Sequence, residues 1–150
     1  MATGKSIVIG ILVVCATFTA TIVTLDFFFG EARSPWVAFA PSVGSLGGSI
    51  GSTSAVGSYK LIGTTVHFQL TIDVVTNGTA TGALTATLPY PSRSNAVAIG
   101  RDVSIGNLLQ GVIYAGTRQA VIFTYNNAYP GGDRKQFYLS GTYEARLSSE

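Results

Sequence analysis

The sequence predicts an all-β fold, an antiparallel β-sandwich of jelly-roll type that follows an N-terminal hydrophobic anchor segment. The first indication is composition, because the chain has 18 glycines, 17 threonines and 14 serines but only 9 basic and 7 acidic side chains. β-Branched residues pack well on pleated surfaces, and glycine and serine suit tight turns. The second indication is strict alternation of apolar and polar residues in the middle of the chain. The third is a break in composition near residue 34.

The clearest strand lies between Thr64 and Val75. Its apolar side chains alternate with polar ones, which places one set on a core and the other on solvent. The pair Asn77-Gly78 then suits a hairpin turn, and a return strand runs from Ala83 to Pro89. The apolar positions of the first strand are Val66, Phe68, Leu70, Ile72 and Val74.

Shorter strands follow, separated by turn signals. They are predicted at residues 96–99, 111–115, 119–125 and 136–147. The Gly/Ser-rich run 42–58 is either an irregular loop or a weak strand. Before it, prolines on both sides of Trp36 and Phe39 indicate an extended entry whose two rings cover one end of the core. Short strands at this spacing, without helical periodicity, indicate two packed antiparallel sheets.

The N-terminal segment from Ser6 to Leu25 holds twenty residues without a charge. We therefore divide the chain into an anchor, residues 1–33, and a β-sandwich domain, residues 34–150. The anchor is long enough for a membrane helix. Twelve of its twenty uncharged residues are β-branched, which also suits an element buried in a protein assembly, and a secretion signal is the third alternative. Its anchoring side chains are Ile7, Ile9, Ile11, Val13, Phe18, Ile22, Leu25, Phe27, Phe28 and Phe29.

The reactive side chains exclude several functions. The only cysteine, Cys15, cannot form an intrachain disulfide, and the scattered basic residues of a chain with net charge +2 do not form a nucleic-acid surface. His67 is the only histidine, and its strand pattern places it on the solvent face. The seven carboxylates show no paired spacing for acid–base chemistry. We expect no catalytic residue, no metal site and no cofactor, and hence no enzyme.

Two segments have compositions suited to recognition. The run YNNAYPGGDRK combines aromatic faces with amide and charged hydrogen-bonding groups in a connection between strands. The alternative for this run is a plain polar loop with Tyr125 in the core. The run LPYPSRSN is the second candidate. The candidate contact residues are Tyr125, Asn126, Asn127, Tyr129, Asp133 and Arg134 in the first run, and Tyr90 and Arg93 in the second.

A series of short signals runs through residues 34–147. They are W-x-x-F-x-P from Trp36, a Gly-rich run, G-x-Y-x-x-x-G-x-x-V-x-F from Gly57, G-x-x-x-G from Gly78, Leu88-Pro89, and S-G-T-Y from Ser140. Their order and spacing resemble the small β-sandwich modules that end many bacteriophage tail-fibre, spike and other virion surface proteins. The N-terminal hydrophobic segment departs from that pattern.

The resemblance implies a non-catalytic structural or receptor-binding role on a virion, commonly as a trimer. We therefore expect a phage virion surface protein that attaches through its N-terminus and either stabilises the particle or contacts a host receptor. Its partners would be other virion proteins and further copies of itself, with membrane contact through residues 6–25 if the anchor enters lipid. The alternative is a bacterial membrane-anchored surface or pilus-like protein with a binding β domain.

Overall fold

A computed structural model of the chain describes residues 35 to 147, which form nine β-strands and no helix. The strands are β1 (Val37–Phe39), β2 (Val43–Gly47), β3 (Ser52–Ile62), β4 (Thr65–Thr76), β5 (Thr81–Thr87), β6 (Ala96–Asp102), β7 (Leu108–Ile113), β8 (Gln119–Thr124) and β9 (Lys135–Glu144). The anchor side chains from Ile7 to Phe29 lie outside the described residues. Within residues 35–147, no helix is long and apolar enough to cross a membrane.

All nine strands of the described region belong to one antiparallel sheet, in the order β1-β3-β4-β9-β6-β7-β8-β5-β2. The strands β1 and β2 lie at opposite edges of this sheet, yet only residues 40–42 connect them. Such a connection spans at most about 14 Å. The two edges are therefore close, and the sheet curls into a half-barrel.

The all-β prediction is confirmed, but the two-sheet sandwich is not. Strand β6 pairs with β9 on one side and with β7 on the other, so the two halves of the strand set are joined by continuous hydrogen bonding. Curling of this single sheet encloses the core that two packed sheets would otherwise enclose.

The inner face of the curled sheet carries the core. The alternation predicted for β4 is confirmed, since the five apolar side chains predicted to face the core are at most 3% exposed. Phe137, Leu139 and Tyr143 of β9 pack beside them, and β5 contributes Leu84 and Ala86. The entry segment differs from its prediction, because Phe39 packs against the core whereas Trp36 is 49% exposed.

A row of small residues lies on the inner face of the sheet. Ala98, Gly111 and Gly141 form one cross-strand row through β7, β6 and β9. A Cβ atom at position 141 would lie 2.8 Å from the Ala98 Cβ and 3.0 Å from the Phe68 ring. The missing side chain at Gly141 therefore leaves the space that the Phe68 ring fills.

The strand directions define two ends of the half-barrel. The entry end holds the turn at Gly63, the connection 88–95 and the turn 114–118. The far end holds the turn 77–80, the turn 103–107 and the loop 125–134. Strand β1 begins beside Tyr59, on the entry-end half of β3, so the chain enters the described unit from that end.

Candidate recognition surface

The outer face of the sheet carries a row of side chains that crosses five strands and the end of a sixth. Cross-strand pairing joins Val56 to Thr71, Thr71 to Tyr138, Tyr138 to Arg101 and Arg101 to Leu108. The amide of Tyr125 donates to the Leu108 carbonyl at 3.1 Å, which extends the pairing by one residue beyond β8. We call these residues the outer row: Val56, Thr71, Tyr138, Arg101, Leu108 and Tyr125.

The outer row and its neighbours expose large apolar side chains together. The exposed fractions are 67% for Val56, 58% for Leu108, 49% for Tyr138 and 67% for Tyr125, and the adjacent Ile99 is 65% exposed. Scattered exposed apolar residues need no explanation, but a contiguous group marks an interaction site. The outer row contains one cation, Arg101, and no carboxylate.

A shallow depression of about 530 Å³ lies on this face. Apolar and aromatic walls come from Ile99, Leu108 and Tyr138, and neutral hydrogen-bonding groups come from Gln69, Thr71 and Ser140. The Arg101 side chain also lines it. The lining of this depression therefore combines apolar walls with a few polar groups.

The first half of the predicted contact loop borders the outer row. Tyr125, Asn126 and Asn127 are all exposed, so the structure excludes a core position for Tyr125. The Asn126 Oδ1 accepts a hydrogen bond from the Thr124 hydroxyl at 2.6 Å. Asn127 has φ 62°, in the left-handed region, and its side-chain oxygen accepts from the Gln110 amide on the outer face.

The second half of the same loop is tied to the turn between β4 and β5. The Tyr129 hydroxyl donates to Asn77 Oδ1 at 2.7 Å, and the Asn77 amide donates to Asp133 Oδ1 at 2.7 Å. Burial raises the pKa of Tyr129. Arg134 has φ 56°, and its amide donates to the Val75 carbonyl at 3.2 Å. Tyr129 and Asp133 therefore hold the loop in place, whereas the side chain of Arg134 is exposed.

The second predicted segment lies at the entry end, away from the first. The Tyr90 hydroxyl is 3.3 Å from that of Tyr59, and the Tyr143 hydroxyl donates to the Tyr90 carbonyl at 2.9 Å. The bond to Tyr90, together with burial, raises the pKa of Tyr59. Arg93 forms an exposed ion pair with Glu144 at 3.4 Å. The structure thus separates Tyr90 and Arg93 from the outer row and places Tyr90 in a packed aromatic cluster.

His67, Asp73 and Asp102 have local partners. His67 faces outward as predicted, and its Nδ1 is 3.0 Å from the Thr142 hydroxyl. Asp102 is 2% exposed and pairs with Lys135 Nζ at 2.9 Å, and Asp73 accepts from the Gln136 amide at 2.8 Å. Among the described residues, no group of three or more His, Cys, Asp or Glu side chains could hold a metal ion.

Five of the six outer-row residues, all except Tyr125, were not predicted as contact residues from the sequence. Tyr138 lies between the buried Phe137 and Leu139, so strict alternation along the predicted strand 136–147 places it outward. Arg101 lies two residues beyond the predicted end of the strand 96–99, whereas β6 continues to Asp102. Leu108 begins β7, three residues before the predicted start of that strand.

The structural comparison finds a phage protein. The fold is similar to that in the crystal structure of the Dettilon tailspike protein, with a TM-score of 0.58 and 18% sequence identity. The match covers 75% of this chain and 24% of the tailspike chain, so it spans about a quarter of that protein. No protein-family model and no curated protein matches the sequence. The resemblance to phage tail-spike modules is confirmed at the level of the fold.

Proposed function

We propose that residues 35–147 form a host-facing recognition module of a phage virion surface protein. In this proposal the N-terminal segment attaches the chain to other virion proteins, copies of the module associate as a trimer, and the module binds without catalysis. The tailspike-like fold supports the class of protein. The observation that carries the recognition role is the exposed outer row, with Tyr125 at the far end of the sheet and the depression beside Tyr138.

The position of the outer row suits contact with a host. The chain enters the module at the entry end, and β4 is 12 residues long, so the ends of the sheet lie about 40 Å apart. The outer row starts in the middle of the sheet and reaches the far end at Tyr125. Tyr125, Asn126 and Asn127 therefore lie at the end of the sheet opposite the one where the described residues begin. Exposed tyrosines are well suited to this role, because they offer a large contact area with little conformational freedom to lose.

Adsorption of particles that carry tyrosine variants tests this function. We expect Tyr125→Ala and Tyr138→Ala each to reduce adsorption about tenfold, because truncation of an aromatic contact residue commonly costs more than 1 kcal/mol of binding. Tyr114→Ala is the matched control, since Tyr114 is also 50% exposed but lies in the turn 114–118 at the entry end. Equal adsorption by all three variants and the parent particle would contradict a recognition role for the outer row.

The alternative function, a bacterial surface protein, predicts a different location from the virion surface protein. Antibodies against the module should label purified particles and should not label uninfected cells. Labelling of the cell envelope without particles would support the bacterial alternative and contradict the virion assignment.

A further inference from the structure

We propose that Asn77 is a deamidation site that the fold restrains, and that it reacts when the loop 125–134 detaches from the turn 77–80. Asparagine is a chemically labile residue, and a following glycine makes it more reactive. The observations that carry this proposal are the contacts of the Asn77 side chain, the exposure of the Gly78 amide, and the need of the turn for both residues.

The reaction joins two neighbouring groups of the turn. The Gly78 backbone nitrogen attacks Asn77 Cγ, the new C–N bond closes a cyclic imide, and Nδ2 leaves as ammonia with the proton lost from the Gly78 amide. Water then cleaves either imide C–N bond, which gives aspartate or, with the main chain routed through Cγ, isoaspartate. The net reaction consumes water, releases ammonia and needs no oxidant or reductant.

The Gly78 amide is open to this reaction. Gly78 is exposed, and within residues 35–147 no hydrogen bond uses its nitrogen. The absence of a side chain at Gly78 leaves a clear approach between this nitrogen and Asn77 Cγ. Gly78 has φ 64°, and a Cβ there would lie 2.6 Å from the Ser49 carbonyl oxygen, so the turn requires glycine. The fold therefore keeps the reactive neighbour next to Asn77.

The Asn77 side chain is held by the loop and by its own turn. Its Oδ1 accepts from the Tyr129 hydroxyl at 2.7 Å, and its Nδ2 donates to the Ala80 carbonyl at 3.1 Å. These bonds hold the planar carboxamide in one orientation, and ring closure with departure of Nδ2 requires them to open. Tyr129 is therefore a positioning residue that slows the reaction for as long as the loop is attached.

Deamidation weakens the attachment that restrained it. The Ala80 carbonyl loses its donor, and the new carboxylate lies beside Asp133, whose Oδ1 already accepts from the Asn77 amide at 2.7 Å. Two neighbouring carboxylates repel each other. In isoaspartate the main chain passes through Cγ, so the group that Tyr129 contacts is lost. The reaction thus records detachment of the loop and prolongs it.

Peptide mapping of the full chain by mass spectrometry tests the proposal. Tryptic cleavage after Lys60 and Arg93 gives a peptide in which Asn77 is the only asparagine. At the same pH and temperature, we expect unfolding in urea to accelerate loss of Asn77 at least about tenfold, because both side-chain hydrogen bonds are lost. In the folded chain, Tyr129→Phe should accelerate it about fivefold, because one of them is lost.

Two variants separate local release of the loop from general unfolding. Tyr125→Phe removes a hydroxyl from the exposed half of the same loop and should leave the rate unchanged. Tyr143→Phe removes hydrogen bonds to Tyr90 at the entry end and should accelerate loss of Asn77 less than Tyr129→Phe does. Equal rates in Tyr129→Phe and the parent, or equal acceleration by Tyr143→Phe, would overturn the restraint. Equal rates in the folded and the unfolded parent, or no loss in either, would overturn the site.

The variant Asn77→Asp reproduces one product and tests its effect on the loop. Trypsin should cleave after Arg134 about fivefold faster in this variant, because cleavage follows the population in which the loop is detached. Asn95→Asp is the matched control at the entry end, where Asn95 Oδ1 accepts from the Ala115 amide and a carboxylate can do the same. Equal cleavage in Asn77→Asp and Asn95→Asp would contradict the effect on the loop.

Discussion

At the scale of single residues, the buried hydroxyl of Tyr143 makes the fold sensitive to alkaline pH. Tyr143 is 3% exposed, its hydroxyl donates to the Tyr90 carbonyl and accepts from the Tyr90 amide, and burial raises its pKa to about 12. In the unfolded chain this pKa is about 10. The neutral phenol therefore contributes stability that is complete below pH 10 and is lost as the pH rises toward about 12.

We expect Tyr143→Phe to flatten the fall in unfolding free energy between pH 10 and about 12. The variant should also be about 1–2 kcal/mol less stable at pH 7, because the Tyr90 amide and carbonyl lose their partner. Urea unfolding at a series of pH values measures both effects. Tyr114→Phe is the control at an exposed position. Parallel pH profiles for Tyr143→Phe and the parent chain would disprove the assignment.

At the scale of elements, the loop between β8 and β9 has one fixed half and one exposed half. Tyr129→Phe removes the hydrogen bond to Asn77 and should lower the free energy of unfolding by about 1 kcal/mol. Tyr125→Phe removes a hydroxyl that has no hydrogen-bond partner within residues 35–147, so we expect a change within about 0.5 kcal/mol. The urea unfolding midpoints of the two variants test this difference between the two halves of the loop. Equal destabilisation of both variants would contradict it.

The turn between β6 and β7 depends on a buried carboxylate. Asp102 accepts hydrogen bonds from the amides of Ser104 and Ile105 and pairs with Lys135. Asp102→Ala leaves the Lys135 ammonium, 19% exposed, without its anion and should cost about 3 kcal/mol. Double substitution Asp102→Ala with Lys135→Met should recover part of that loss, because no uncompensated charge then remains. Thermal unfolding of the single and double variants measures this recovery. A double variant that is no more stable than Asp102→Ala alone would argue against a stabilising ion pair.

The strands that could be predicted from sequence are those with a complete apolar face. Strand β4 was predicted because each inward position is a large apolar residue. Strand β3 was not resolved from a loop, since its inward-facing Gly57 has no side chain to mark the core face. A Cβ at that position would lie 2.5 Å from the Phe39 ring of β1. Packing against β1 therefore excludes a large residue at position 57.

At the scale of the whole molecule, periodicity indicates which face a strand buries but not which strands are neighbours. The position of β9 between β4 and β6 therefore could not be predicted, nor could the single curled sheet. The same limit applies to the candidate site. Tyr125 was predicted from loop composition, whereas Tyr138 and Arg101 become neighbours only because β9 pairs with β6.

The central position of β9 in the sheet predicts that the fold of residues 35–147 forms only when β9 is present. Strand β9 pairs with β4 over residues 65–74 and with β6 over residues 98–102, so its removal separates the sheet into two parts. It also uncovers Phe68 and Ile72, which pack against it in the core. We expect a chain truncated after Arg134 to show no cooperative thermal transition, because both remaining parts lose their shared core. A chain truncated after Leu147 retains all nine described strands and should unfold cooperatively like the parent. Circular dichroism during heating compares the two truncations, and a cooperative transition in the shorter chain would mean that β1 to β8 hold a core without β9.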